Sequence, residues 1–429
     1  MKAVPLPSAL FTLNRERLVK KFPPRSLAVF NANDIMPTNA DGTMGHLQNA
    51  DLFYLTGVNQ EETILLLAPD AFDPKRREIL FLRETNEHLV TWEGHKLSKE
   101  QATAVSGIQN VKWLSEFPAV FRSLMGEMEM VFLNSNEHQR AEVTVETRDA
   151  RFVQDCRRRF PLHRYRRLAP ILHELRSVKS QYEIDAIKAA CDLTAKGFKR
   201  VLKFCKPGVN ETEVEAEFAY EFIRHKGQFA YPPIIATGAN NNVLHYNQND
   251  QVCHKGDLLL LDVAAGLGNY MSDLTRTIPV NGKFTRRQKQ VYNAVLRVFR
   301  AQVAALTPGK TTKDLRTECE ERIAKECVDL GLLKTSDLKK QKTDEPAVKK
   351  YFMHGVSHPI GLDVHDVTYE HFKIGPGWVV TVEPAIYIKE EGFGVRLENT
   401  IVITESGQVD LMAGIPIEAE EIEHLMNRH

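Results

Sequence analysis

Two pairs of acidic residues sit where β-hairpins would set them face to face. In DLLLLDVAAGLGNYMSDLTRTIP, residues 257–279, two apolar runs flank Gly266-Leu267-Gly268-Asn269, a hairpin signal, and a turn centred between Leu267 and Gly268 sets Asp262 opposite Asp273. Downstream, WVVTVEP (378–384) and VRLENTIVIT (395–404) flank the polar turn 389–394, and a hairpin centred between Glu390 and Glu391 sets Glu383 opposite Glu398. Directly opposed residues have Cβ atoms about 4.5–5.5 Å apart, and like charges there repel. A cation between the acids is the expectation. Pro384 has no N–H to give and is expected to distort the second ladder at that point.

Histidines precede both hairpins. His245 stands in the loop YPPIIATGANNNVLHY (231–246), and His354, His358 and His365 stand in HGVSHPIGLDVHD (354–366). The i, i+4 pair His354/His358 lacks the glutamate of a helical HExxH zinc motif, since Gly355 holds that place. Pro359 also pushes His358 out of the helical region, so an extended loop presenting imidazoles is expected. Four carboxylates and an imidazole suit two divalent ions roughly 3.5–4 Å apart, whose charge the carboxylates balance and whose bound water has its pKa lowered toward ~7. The chain has no G-x-S-x-G elbow and no P-loop, so hydrolysis by a metal-bound hydroxide is the chemistry these residue types allow.

The elements that must position these residues occur twice. Ser180-x-x-Glu183 is a capping box opening a helix to about Phe204, which Lys206-Pro-Gly stops, and a second helix from about Glu213 to Lys226 ends at Gly227. Thr285-x-x-Gln288 caps a helix to about Leu306, Thr307-Pro-Gly stops it, and a helix from Lys313 to Leu330 ends at Gly331. Helix, Pro-Gly stop, helix, histidine loop and acidic hairpin, in that order and repeated, predict two related halves facing across a pseudo-two-fold axis. The Lys-rich stretch Lys334–Lys350 reads as an exposed loop added to the second half.

Upstream, residues 1–165 alternate apolar runs with helical stretches. Strands are expected at Ser26–Ala32, Thr63–Ala68, Arg77–Arg83 and Met128–Asn134, with a helix near Ser98–Ser106, which together make a small α/β domain. The basic run RRRFPLHRYRR (157–167) reads as a solvated interdomain segment. The 429 residues carry 56 Lys plus Arg against 56 Asp plus Glu, so no global charge points to nucleic acid or an anionic membrane. No apolar run approaches the ~20 residues that cross a bilayer. The six cysteines form no CxxC pair and the opening MKAVPLPSALFTLNRER lacks a signal-peptide core, which together predict a reducing, cytoplasmic location.

At these residues the chain resembles a known family. His245, Asp262, Asp273, the HGxSHxxGLDVHD segment, TVEP around Glu383 and GVRLE around Glu398 look like the creatinase/methionine aminopeptidase superfamily, and within it aminopeptidase P. Gln48–Gly57, QNADLFYLTG, is similar to that family's N-terminal domain. The resemblance implies an α+β chain: a non-catalytic N-terminal α/β domain over 1–165 and a "pita-bread" metallopeptidase domain with an internal pseudo-two-fold repeat over 166–429. It implies Asp262, Asp273, His358, Glu383 and Glu398 as ligands of two divalent ions, commonly manganese, with zinc, cobalt or iron as the other candidates. Catalytic roles fall by the same resemblance to His245, His354, His365, Glu383 and Arg396, and substrate contacts to His245, His354, His365 and Arg396. The implied substrates are peptides with proline second, and the implied assembly is a homo-oligomer, dimer or tetramer. Prolidase, which cleaves Xaa-Pro dipeptides, is the alternative enzyme, although Ser357 in HGVSH looks like aminopeptidase P where prolidases usually show HGLGH. Further off stands a non-catalytic pita-bread binding protein. Asp262-Val-Ala-Ala-Gly and Asn399, where an acid often follows the last ligand, depart from the family pattern and bear on the surroundings of the ligands.

Overall fold

The computed structural model describes residues 4–341 and 346–428. It divides into two compact units, one ending at Arg176 and one opening at Ser177.

The first unit is built on a six-stranded sheet of β1 (Ser26–Asn31), β2 (Ile64–Leu67), β3 (Glu78–Leu82), β4 (Val111–Trp113), β5 (Met130–Leu133) and β6 (Arg164–Arg167), in the order β4-β3-β2-β1-β5-β6. β1, β2 and β3 pair antiparallel, and the outer pairings are parallel. The four expected strands are present because each is an apolar run long enough to be buried. Leu27, Val29, Ile64, Leu66, Ile79 and Phe81 make one face of the core with Phe121, Leu124 and Cys156 of the helices Phe117–Met125 and Arg148–Arg159. The expected helix is Lys99–Ser106, capped by Ser98 and Gln101 reciprocally and ended by Gly107 at φ +76°. One expectation changes. The basic run is no interdomain segment but the last turn of helix Arg148–Arg159 followed by edge strand β6, with Arg158 and Arg159 on Asp155 and Arg167 on Glu137.

In the second unit the four expected helices are Gln181–Phe204, Glu211–Arg224, Arg286–Ala304 and Thr312–Asp329. Their caps are those in the sequence: Ser180 N–H donates to the Glu183 carboxylate at 2.8 Å, and Thr285 and Gln288 exchange bonds of 2.9 and 3.2 Å. The stretch expected as loop after Lys334 instead carries a short helix, Thr335–Lys340, whose start the Asp337 carboxylate fixes by accepting from Lys334 N–H; residues 342–345 lie outside the described residues. The strands are β7 (Gln228–Phe229), β8 (Ile234–Thr237), β9 (Leu258–Asp262), β10 (Ala265–Leu267), β11 (Tyr270–Met271), β12 (Thr275–Pro279), β13 (Val379–Val382), β14 (Ala385–Ile388), β15 (Phe393–Arg396), β16 (Asn399–Thr404) and β17 (Gly407–Asp410). They form the sheets β11-β10-β7, β12-β9-β8, β13-β16-β17 and β14-β15.

The register of the first hairpin differs from expectation. Leu267 pairs with Tyr270 and Asp262 with Thr275, so Asp273 is not the direct partner of Asp262. The turn is Gly268-Asn269, with φ of +58° and +69°, a two-residue connection whose positive φ values match the twist of the strands. The shift is by an even number of places, and side chains alternate with period two, so Asp262 and Asp273 still share a face as diagonal neighbours. The second hairpin has the expected register: Val382 pairs with Asn399 and Ala385 with Arg396, and Glu383 falls opposite Glu398 between them. Among the described residues no helix is long and apolar enough to cross a membrane, and all six cysteines are buried and unpaired.

Candidate metal centre

Pro384 opens the gap in which the second pair of acids sits. The β13/β16 ladder ends at Val382 and the β14/β15 ladder begins at Ala385, so the N–H groups of Glu383 and Glu398 are released to other partners. Glu383 donates to Val356 O at 2.9 Å, and Glu398 to Thr275 O at 3.0 Å, the latter joining the second hairpin to the first. The histidine segment is extended, as Pro359 requires. It runs beside β13, with Thr381 N–H on His358 O and Ile360 N–H on Val379 O, and this carries His358 to the acids.

Donor atoms converge there. An oxygen each of Asp273 and Glu398 and a ring nitrogen of His358 lie within 4.8 Å of one another, and all three residues are buried. His358 Nε2 is 3.5 Å from Asp273 Oδ2 and 3.8 Å from Glu383 Oε1. Its Nδ1 lies 3.0 Å from Pro359 O, a carbonyl that can only accept, and this contact turns Nε2 toward the two carboxylates. Asp262 joins through Tyr231, whose hydroxyl is 2.6 Å from an oxygen of Asp262 and 2.6 Å from one of Asp273. Burial, and then the neighbouring carboxylates, push Asp273, Glu383 and Glu398 well above the usual carboxylate range. Buried acids clustered around an imidazole are relieved either by protonation or by a bound cation. The residues present therefore fit a divalent metal centre: oxygen-rich, with one imidazole already oriented by a carbonyl.

A chain of hydrogen bonds surrounds these donors. Arg396 donates through Nη2 to Asp262 Oδ2 at 2.6 Å, through Nε to Thr275 Oγ1 at 3.1 Å and through Nη1 to Tyr387 Oη at 2.7 Å. The Thr275 hydroxyl in turn donates a hydrogen bond to Glu398 Oε2 at 2.7 Å. Burial pushes the Tyr387 hydroxyl up to about 12, so it stays protonated and donates to His354 Nε2 at 2.9 Å, while His354 Nδ1–H donates to Gly355 O at 2.6 Å. Burial, with the Arg396 cation nearby, lowers His354 to about 3, which keeps it neutral. The other two histidines are exposed. His365 stands edge-on to His358 with ring centroids 4.4 Å apart, whereas His245 makes no hydrogen bond or ion pair among the described residues.

Tyr231, Thr275 and Tyr387 escape the sequence reading. Tyr387 alone leaves a trace there: the register that opposes Glu383 to Glu398 also opposes Tyr387 to Gly394, and a Cβ on Gly394 would lie 2.6 Å from the Tyr387 ring. A glycine opposite an aromatic is the mark of a ring laid across the strand. Asn399, the departure from the family pattern, accepts from buried Arg276 at 2.7 Å and donates to Asp410 at 2.6 Å, so the carboxyl nearest to it beyond Glu398 comes from β17.

Comparison with known proteins is consistent along the chain. Residues 185–405 match metallopeptidase family M24, and residues 11–132 match the N-terminal domain of aminopeptidase P. The Xaa-Pro aminopeptidase of Escherichia coli strain K12 is 33% identical over 97% of this chain and 97% of its own. Xaa-Pro aminopeptidase 3 of Homo sapiens is 30% identical over 89% of this chain and 77% of its own. A solved structure of zinc-substituted E. coli aminopeptidase P in complex with product is 32% identical, covers 99% of each chain and superposes with a TM-score of 0.86.

Proposed function

The chain belongs to metallopeptidase family M24, and from that premise we propose that it is a metal-dependent aminopeptidase releasing the first residue from peptides whose second residue is proline. The observation that carries this reading is the convergence of carboxylate oxygens on His358 Nε2, those of Asp273 and Glu383 lying at 3.5 and 3.8 Å, while the other ring nitrogen faces Pro359 O. In this reading the chemistry lies in residues 166–429, and residues 1–165 carry none of it.

Asp262, Asp273, His358, Glu383 and Glu398 are the proposed ligands of two divalent ions. Bound there, the ions would supply an activated water at neutral pH and polarise the scissile carbonyl. Manganese is the proposed native metal, since carboxylates outnumber the single imidazole. Arg396 fixes Asp262, and Thr275 fixes Glu398, so neither carboxylate turns away from the centre. Glu383 is the proposed group that takes a proton from water and returns it to the departing nitrogen. Neutral His354, oriented by Tyr387, and the exposed His365 and His245 are the groups for substrate and developing charge. A proline at the second position suits such a site: the Xaa-Pro bond has no N–H, and attack at its carbonyl requires none. The proposed setting is a cytoplasmic homo-oligomer acting on peptides.

Purified protein with Mn²⁺, assayed on Ala-Pro, Ala-Pro-Ala and Ala-Ala-Ala, tests this directly. Ala-Pro-Ala is expected to be the best substrate. Faster cleavage of Ala-Pro would replace the reading with a prolidase, and equal cleavage of Ala-Ala-Ala would remove the proline preference.

A further inference from the structure

Lys179 and Asp366 form an ion pair at 2.9 Å, with side chains only 1% and 2% exposed. Neither residue is a proposed ligand or substrate contact. Taking two charges out of water is costly, and a pair this deep is weak support for stability by itself, so its position in the fold is the informative part.

Asp366 directly follows His365. Its N–H donates to Pro359 O at 3.0 Å, which closes residues 359–366 into a loop that begins beside His358 and ends beside His365. The middle of the loop is tied to β11 by Met271 N–H on Gly361 O at 2.8 Å. The other partner is equally fixed: Lys179 donates its backbone N–H to Gly377 O at 2.8 Å and immediately precedes Ser180, which caps the 24-residue helix Gln181–Phe204. Gly361 is shaped to the pair, because a Cβ there would lie 2.2 Å from Asp366 Oδ2 and 3.1 Å from Lys179 Cε. The ion pair thus pins the far end of the histidine loop to the start of the helix. An exposed imidazole standing edge-on to His358 has its backbone anchored one residue away.

We propose that Lys179 and Asp366 are positioning residues that hold the His365 imidazole at the metal centre, acting through the loop without touching metal or substrate. The inference rests on the catalytic role given above to His365. A displacement of about 1 Å in a reacting group is enough to lower a rate by ~10².

The test is a double-mutant cycle on the full chain loaded with Mn²⁺, using Lys179→Met, His365→Ala and their combination, with kcat, metal content and thermal unfolding measured on each. Lys179→Met is expected to lower kcat by roughly 10–100-fold with both metals retained. In the His365→Ala background the same change is expected to lower kcat by less than about threefold, since the group it positions is already gone. Should Lys179→Met not fold, Lys179→Met/Asp366→Asn takes its place, because removing both charges leaves no buried ion without a partner. Equal losses in both backgrounds, or an unchanged kcat, would overturn the inference while His365 kept its role. A wild-type kcat for His365→Ala alone would overturn that role, and the inference with it.

Discussion

Thr275 and Glu398 are bonded twice, the Glu398 N–H to the Thr275 carbonyl at 3.0 Å and the Thr275 hydroxyl to the Glu398 carboxylate at 2.7 Å. The hydroxyl also accepts from Arg396 Nε, so one oxygen orients both a proposed ligand and its neighbouring cation. Thr275→Val keeps the shape and the backbone bond but removes that oxygen. The expected result is metal affinity or activity lower by about 10–100-fold, read by titrating metal-free protein with Mn²⁺ and by kcat/KM on a Xaa-Pro peptide. Wild-type values for both would show that Glu398 holds its orientation unaided.

Asp273→Asn, close in volume but one charge poorer, is expected to lose bound metal and most activity together. Chelation of the unaltered protein should abolish turnover, and added divalent metal should restore it. Full turnover in a chelated sample free of metal would end the dinuclear reading.

Arg396 makes three directed bonds, to Asp262, Thr275 and Tyr387, which a single ammonium cannot reproduce. Arg396→Lys keeps the charge and loses the fork. It is expected to reduce kcat by about 10–100-fold, with metal content measured by atomic emission close to normal. A kcat within a factor of two of normal would show that charge alone suffices.

Burial pushes Asp149, in the first unit, up to about 7 from its ordinary 3.8. The folded chain therefore holds a proton that the unfolded chain releases, and stability falls as pH rises between about 4 and 7. Asn31 donates to Asp149 at 2.8 Å, and an asparagine there would still accept this bond. Asp149→Asn should raise Tm relative to the unaltered protein by about 2–4 °C at pH 8 and by little at pH 4, the helix N-terminus offsetting part of the effect. A Tm difference that does not change with pH would show that the carboxyl titrates as an exposed one.

The centre was legible in the sequence where alternation and turns decide it. Two acidic hairpins and the extended histidine segment follow from strand periodicity and Pro359, and the whole-length likeness to aminopeptidase P bears out the α+β class and the family resemblance. The register of the first hairpin was not legible, because two adjacent residues with positive φ fix the turn one place later than glycine spacing alone suggests. The even shift spared the site. In the first unit the apolar strands were visible, whereas β6, an Arg-rich edge strand, has only Tyr165 turned to the core to mark it. Tyr231 and Thr275 were hidden for a different reason: each acts on partners tens of residues away, and their own neighbours say nothing of it.

The bond between Thr275 and Glu398 joins residues 123 apart, and Arg396 reaches 134 residues back to Asp262. Closing loops of that length precedes any such contact, so the centre assembles late in folding. During synthesis, a chain halted anywhere before Arg396 lacks Glu398 as well as the cation that orients Asp262. Such a chain cannot complete the proposed centre, so it is expected to be inert toward its own terminus and those of its neighbours until residues 396–398 have left the ribosome.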